Sequence, residues 1–239
     1  MLVIGATRLE LAQLLAELDD ERMALKGRRG WPAVHGGRLA GVPVLVTAGG
    51  IGKANTAAAL ASVAAYLDVT VVLQVGIGGA YPRTGGGPGL PLTSVAVAAS
   101  EFDLDLGVGE AAAWRGLEAL GLAAVATEPP AYNLFPCDSE LSTRVAKATA
   151  SPLVPFATSD SVTADSERAR HISEATGAAV ESMKGAAAAQ VCIALGLPFV
   201  ELRAVSNVVA VRDKANWRIA GAIEAVTKAT LAALPVLTV

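Results

Sequence analysis

VESMKGAAAAQV at residues 180–191, followed one strand later by ELRAVSNV at 201–208, is the stretch that decides the fold. The first segment reads as a short strand at 178–181 feeding an Ala-rich helix at 185–195, and the second lies in an apolar strand at 198–205. A strand, a helix and a strand of these lengths suit a parallel or mixed sheet. They put a Met, a charged residue and an Asn at the carboxyl ends of apolar segments, where open α/β sheets build their sites.

The same alternation continues outward in both directions. Residues 2–6 read as a buried strand, 9–18 as a helix, and 38–39 with 42–47 as a hairpin. A Gly-rich turn at 49–52 leads into a helix at 53–66, and a strand at 69–75 leads into a second turn at 76–79. Beyond it the pattern predicts strands at 94–100, 123–127 and 153–158, helices at 111–120, 137–148 and 166–176, and a closing helix at 217–234. The Gly/Pro cluster at 82–91 reads as a surface loop. The expected architecture is α/β: one three-layer α/β/α domain over residues 1–239 with a central mixed sheet, without linker, repeat or low-complexity tail.

Composition bounds the function. With 239 residues, 53% of them hydrophobic, the chain can bury one large core without disulfides or a metal. Its net charge of −3 with interspersed signs gives no basic face for nucleic acid or an anionic membrane. Mean hydropathy is positive, at +0.49, yet Gly, Pro or a charge interrupts the apolar runs before the roughly 20 residues that a spanning helix needs. The opening MLVIGA lacks a basic n-region and a long apolar h-region, so a cytoplasmic protein is expected. Cys137 and Cys192 stand far apart and outside any CxxC or Cys/His cluster, and read as ordinary buried thiols. Neither a metal nor a cofactor is expected, because ligand spacing and a dinucleotide fingerprint are both missing.

Two glycine segments follow strands: GGIGKAN at 49–55 and VGIGGA at 75–80. Glycine lets backbone approach a ligand closely, and the first segment is similar to a phosphate cradle. Neither fits a Walker or GxGxxG spacing, and glycine is also the usual punctuation of strand-to-helix turns. Singly, each is as readily structural as functional.

Taken in order, a strand ending in IGA with a Glu shortly after, GIGK, VGIGGA, TSDSV, V-E-S-M-x-G-A-A and R-A-V-S-N resemble the nucleoside phosphorylase/nucleosidase superfamily over nearly the whole chain. Methylthioadenosine/S-adenosylhomocysteine nucleosidases typically carry M-E-A or M-E-G and R-A-I-S-D. The ESM and SN forms here, with RDKANWR after them, are more similar to the futalosine hydrolases, which remove hypoxanthine from futalosine on the route to menaquinone.

Cleaving an N-glycosidic bond requires a neutralised leaving purine, a tolerated cationic ribosyl centre and an activated water on the opposite face. The resemblance implies Glu10 as the water-activating base, with a loose register in which position 9 aligns equally well with the family's acid. It implies Asn207 as the purine reader, where adenine-specific relatives place an Asp. A carboxamide cannot protonate N7, but it offers a donor and an acceptor, which suits a 6-oxopurine. A strand-end Asn bonded to its own backbone is the plainer alternative. Ser206 supports this loop, Val162 flanks the base where the nucleosidases have Phe, and Met183 lies under the ribose. Ile51, Gly76, Ile77, Gly78 and Ser182 complete the expected substrate lining.

Lys184 departs from the pattern, because the family's Glu there accepts bonds from the ribose hydroxyls while an ammonium has donors alone. Either the chain is an inactive or divergent form, or Glu181 or another acid compensates. On this reading Lys184→Glu raises ribose affinity and turnover. Arg212, with Lys214 and Arg218, is a candidate for a carboxylate on the 5′ arm, or else part of a solvated face.

Three alternatives stay open: an adenine-specific nucleosidase, a phosphorylase using Arg8 or Arg83 to hold phosphate, and a nucleoside-binding protein without turnover. The expected partner is a small purine nucleoside rather than nucleic acid or membrane. The resemblance further implies a homodimer or larger assembly, with residues 101–106 of a neighbour closing the 5′ pocket.

Overall fold

The computed structural model describes residues 1–26, 32–82, 89–109 and 114–238. The first half runs β1 (Leu2–Gly5), α1 (Arg8–Ala16), β2 (Asp19–Leu25), β3 (Val34–Leu39), β4 (Val42–Ala48), α2 (Lys53–Tyr66), β5 (Val72–Ala80) and β6 (Val95–Asp103). The second half runs β7 (Gly107–Val108), β8 (Arg115–Gly116), β9 (Leu134–Pro136), α3 (Ser139–Thr149), β10 (Leu153–Thr158), α4 (Ser166–Thr176), β11 (Val180–Ser182), α5 (Gly185–Leu195), β12 (Phe199–Val208) and α6 (Ile219–Ala233).

The main sheet is mixed, in the order β11-β10-β6-β12-β5-β1-β4-β3-β2, with β9 on β6 and a further antiparallel pairing of β11 with β5. That last pairing makes β5, β12, β6, β10 and β11 a closed ring from which the remaining strands fan out. Strands β1, β4, β5 and β12 run parallel, so their carboxyl ends share one edge.

Two apolar layers flank the sheet. Leu11 and Leu14 of α1, Leu141 and Val145 of α3 and Val226 of α6 pack on one face. Leu60 and Val63 of α2, with Ala188, Ala189 and Cys192 of α5, pack on the other. The alanine run of α5 is what lets this helix lie close to the strands, since its small side chains are buried without a gap. Lys214–Val236, which includes α6, is long and apolar enough by length and composition to cross a membrane, contrary to the reading of interrupted runs. Its apolar side is spent on the sheet, where Ala222, Val226 and Ala233 are buried.

Several elements differ from expectation. Residues 76–79 are strand, part of an unbroken β5, rather than a turn. The reason is close packing: a Cβ on Gly78 would lie 2.7 Å from Val180 Cγ1, so glycine here makes room for a crossing strand. Residues 115–120 form β8 and one 3₁₀ turn instead of a helix, with 111–113 outside the described residues. At 123–127 the prolines at 129 and 130 turn the chain back, leaving one isolated bridge between Val125 and Ala131 in place of a strand. Strand β2 went unread because DDERMAL is a mostly exposed edge strand without apolar alternation. Of the loop expected at 82–91, residues 83–88, including Arg83, lie outside the described residues.

Candidate functional site

Glu10 is fixed by its own helix start. Thr7 caps α1: its hydroxyl accepts from Glu10 N at 3.3 Å, while Glu10 Oε2 accepts from Thr7 N at 3.0 Å. Such a reciprocal box contributes about 1 kcal/mol to a helix start. Here it also aims the carboxylate inward, where Oε1 accepts from Ile77 N on β5 at 3.2 Å. Glu10 is 6% exposed and Leu9 is 67% exposed, so of the two register choices only Glu10 points into the molecule.

Across from Glu10, β12 pairs Arg203 with Gly76. Arg203 is fully buried, and a Cβ on Gly76 would collide with both Arg203 Nη1 and Glu10 Oε1. The glycine therefore brings a cation and a carboxylate to one point beside β5. Arg203 Nε donates to Glu201 Oε1 at 2.6 Å, while its two terminal nitrogens meet no acceptor. Arg203 and Glu201 carry no role in the sequence motifs, and Glu101 enters there only as the first residue of the segment 101–106. Charged letters inside the apolar runs FVELRAV and VAASEFD were the available signal, because a charge in a fully buried strand must find a partner.

Lys184 sits at the N-cap of α5 and is buried. Burial first, then the charge of Arg203, push its ammonium down to about 8, against the opposite pull of Glu10 and Glu201. It thus shares the space of Glu10, Glu201 and Arg203. The Ser182 hydroxyl accepts from Lys184 N and Gly185 N, both at 3.3 Å, and closes the start of α5. Met183 between them is half-buried. Glu181 is already engaged. Its carboxylate accepts from Tyr81 Oη at 2.7 Å, Thr163 N at 3.0 Å and Thr163 Oγ1 at 2.6 Å, and holds the loop that follows TSDSV.

Asn207 lies half-buried at the end of β12 with its amide tied locally. Nδ2 donates to Val208 O at 3.0 Å, and Oδ1 accepts from Ser206 Oγ at 2.8 Å. Ser206 Oγ also reaches Gly78 O at 3.1 Å, linking this corner to β5. One Nδ2 hydrogen remains for a ligand. Ile51 and Val162 are exposed, at 57% and 46%. Arg212 is exposed too, and its guanidinium lies 5.3 Å from the Trp217 ring centre, a cation–π contact outside the Glu10–Arg203 cluster.

The segment 49–53 is a true turn, with positive φ at Gly50 and Gly52, and part of its donor set is engaged within the chain. Gly49 N and Gly50 N donate to Gly5 O and Ala6 O at 2.8 and 2.9 Å. Lys53 N at the start of α2 donates to Asp160 Oδ1 at 2.9 Å. Lys53 Nζ is bound by Asp103 at 2.8 Å and Asp105 at 2.8 Å. Burial alone pushes Lys53 down, yet the hydrogen bonds and charges of these two aspartates outweigh it and hold the ammonium above its ordinary value. A helix start that attracts anions is here filled by the protein's own carboxylate. Of residues 101–106, Glu101 and Asp103 are buried in β6, and exposure begins at Asp105.

The family model of the phosphorylase superfamily matches residues 1–237. The chain belongs to the phosphorylase superfamily. Among curated members it is 37% identical over 228 residues to a futalosine hydrolase of Thermus thermophilus, covering 95% of this chain and 92% of that one. It is 36% identical over 196 residues to a futalosine hydrolase of Streptomyces coelicolor, covering 80% and 78%. The fold is that of an S-adenosylhomocysteine nucleosidase from Streptococcus pyogenes, at TM-score 0.83, 22% identity and coverage of 100% and 97%. A methylthioadenosine/S-adenosylhomocysteine nucleosidase from Colwellia psychrerythraea gives 0.81, 22%, and 99% and 94%. The superfamily fold thus carries the mixed sheet and the flanking helices that the alternating sequence predicts.

Proposed function

We propose that this protein is a purine nucleosidase that hydrolyses the N-glycosidic bond of futalosine and releases hypoxanthine. The observation that carries the hydrolytic reading is the occupied helix start of α2. Asp160 takes the amide that would face an anion, and Asp103 with Asp105 neutralises Lys53, leaving an arriving phosphate with repulsion in place of a cradle. Water is the nucleophile that remains. The substrate is supported by the two curated relatives, both futalosine hydrolases.

In this reaction water adds to C1′ as the C1′–N9 bond breaks, and the bonding pair leaves with the base. Glu10, its carboxylate held in place by Ile77 N, takes a proton from the water. Asn207 donates Nδ2–H to the departing 6-oxopurine, whose proton then comes from solvent. Lys184 donates to the sugar's hydroxyl oxygens, and Met183 packs beneath the ring. The menaquinone route, a cytoplasmic setting and assembly as a homodimer or larger homo-oligomer accompany this reading.

Purine release from futalosine, inosine and methylthioadenosine, followed by chromatography, tests the substrate. Hypoxanthine from futalosine in preference to the other two is the expected result. Adenine from methylthioadenosine as the main product would overturn the role given to Asn207.

A further inference from the structure

Glu101 on β6 and Glu201 on β12 are fully buried, and one oxygen of each, Glu101 Oε1 and Glu201 Oε2, meets no donor group. Both oxygens abut Gly185, where a Cβ would collide with either. Two carboxylates brought against one point in a dry interior repel unless a proton lies between them. Burial first, then the charge of Glu201, push Glu101 well above the ordinary carboxylate range, and one proton shared by the pair relieves the repulsion. The pair is anchored from behind: Thr158 Oγ1 donates to Glu101 Oε2 at 2.7 Å and accepts from Ala186 N of α5 at 3.0 Å.

The other oxygen of Glu201 holds Arg203 by Nε at 2.6 Å. A guanidinium is planar and always charged, so fixing Nε fixes the direction of both terminal nitrogens. Those nitrogens are buried without an acceptor, and Nη1 lies at Gly76 beside Glu10 Oε1. Donors in that state need an oxygen from outside the chain.

We propose that Glu201, hydrogen-bonded to Glu101, is a positioning residue of the reaction that locks Arg203 so that its terminal nitrogens face the attacking water or the sugar at Glu10. This rests on the nucleosidase reading above. The charged and titratable groups facing the pair are Arg203 on β12, Lys184 at the head of α5, Glu10 on α1, the Cys137 thiol ahead of α3 and the Tyr81 hydroxyl after β5.

The test combines steady-state kinetics with infrared spectroscopy on the intact protein. Glu201→Gln is expected to lower kcat for futalosine about 100-fold, the scale of a misplaced catalytic contact, with KM changed by less than about threefold. Its pH–kcat profile shifts as well, because Arg203 loses its counter-charge. Glu101→Gln keeps a donor for Glu201 and lowers kcat by less than about tenfold. In the infrared, the parent shows a protonated carboxyl band at neutral pH that Glu101→Gln lacks.

A Glu201→Gln protein that melts early yet keeps the parent's kcat and pH profile when folded would reduce Glu201 to a structural part and overturn the proposal. So would a parent without the carboxyl band, a readout that needs no turnover. If Glu201→Gln fails to fold, Glu201→Asp takes its place, with a kcat between those of parent and Glu101→Gln overturning the idea and a larger loss supporting it. A parent that cleaves none of the nucleosides overturns the nucleosidase reading itself, and is told apart by the absence of any parental rate.

Discussion

The two glycine segments, GGIGK at 49–53 and VGIGGA at 75–80, look alike as letters and do opposite things in space. The first is a turn whose glycines adopt positive φ, at Gly50 and Gly52, and in which the amides of Gly49, Gly50 and Lys53 and the Lys53 ammonium are bound by Gly5, Ala6, Asp160, Asp103 and Asp105. The second is an extended strand whose glycines lack side chains so that Arg203, Glu10 and Val180 fit against the backbone. One segment is bound by carboxylates of its own chain; the other makes room for charged side chains against the sheet. Glycine counts alone do not separate a turn that binds from a strand that makes room.

The largest effect is expected where space is tightest. Gly76→Ala puts a methyl against Arg203 Nη1 and Glu10 Oε1, and kcat/KM should fall about 100-fold, the cost typical of displacing a catalytic group by about 1 Å. A variant with parental kinetics would show that these groups do not work together.

Lys184→Met comes next and concerns stability. The Lys184 ammonium is pushed down from 10.5 to about 8, so below pH 8 the folded protein carries a charge that its surroundings disfavour. Between about 8 and 10.5 the unfolded chain keeps that proton while the native one has lost it, and this group's contribution to stability rises with pH. Replacing the lysine by an apolar side chain should stabilise the fold at pH 7 by about 1–3 kcal/mol, with the gain shrinking above pH 8. Thermal melts across that range decide it, and a gain that grows with pH would contradict the account.

Asp160→Ala should have the smallest effect on stability, about 1 kcal/mol for a lost cap. Its informative readout is a change of ligand: inorganic phosphate should raise the melting temperature of the variant and leave that of the parent unmoved. Equal stabilisation of both would mean that Asp160 does not guard the helix start.

The regular fold was legible because its signals are local. Helices 53–66, 166–176 and 185–195 and the strand at 153–158 match their observed bounds, since each has a cap, a glycine stop or an apolar run of its own. Strand β2 was not, because an exposed edge strand carries no apolar rhythm. In the candidate site the letters of Glu10, Lys184 and Asn207 drew notice through motif order, and the structure brings Glu10 and Lys184 into one charged cluster with Asn207 at the neighbouring strand end. Glu201 and Arg203 left only the signal of two charges in an apolar run, and the pairing of Glu201 with Glu101, 100 residues away on another strand, is one that no local pattern records. Arg212, also drawn out by the sequence, is exposed and lies 5.3 Å from the Trp217 ring centre.

The most direct measurement is the rate of futalosine cleavage with inorganic phosphate varied from none to saturating, with the sugar product identified. The account predicts one rate throughout and a free sugar with no phosphate ester. A rate that rises with phosphate, together with a sugar 1-phosphate, would contradict it and return GGIGK to the role of a phosphate cradle.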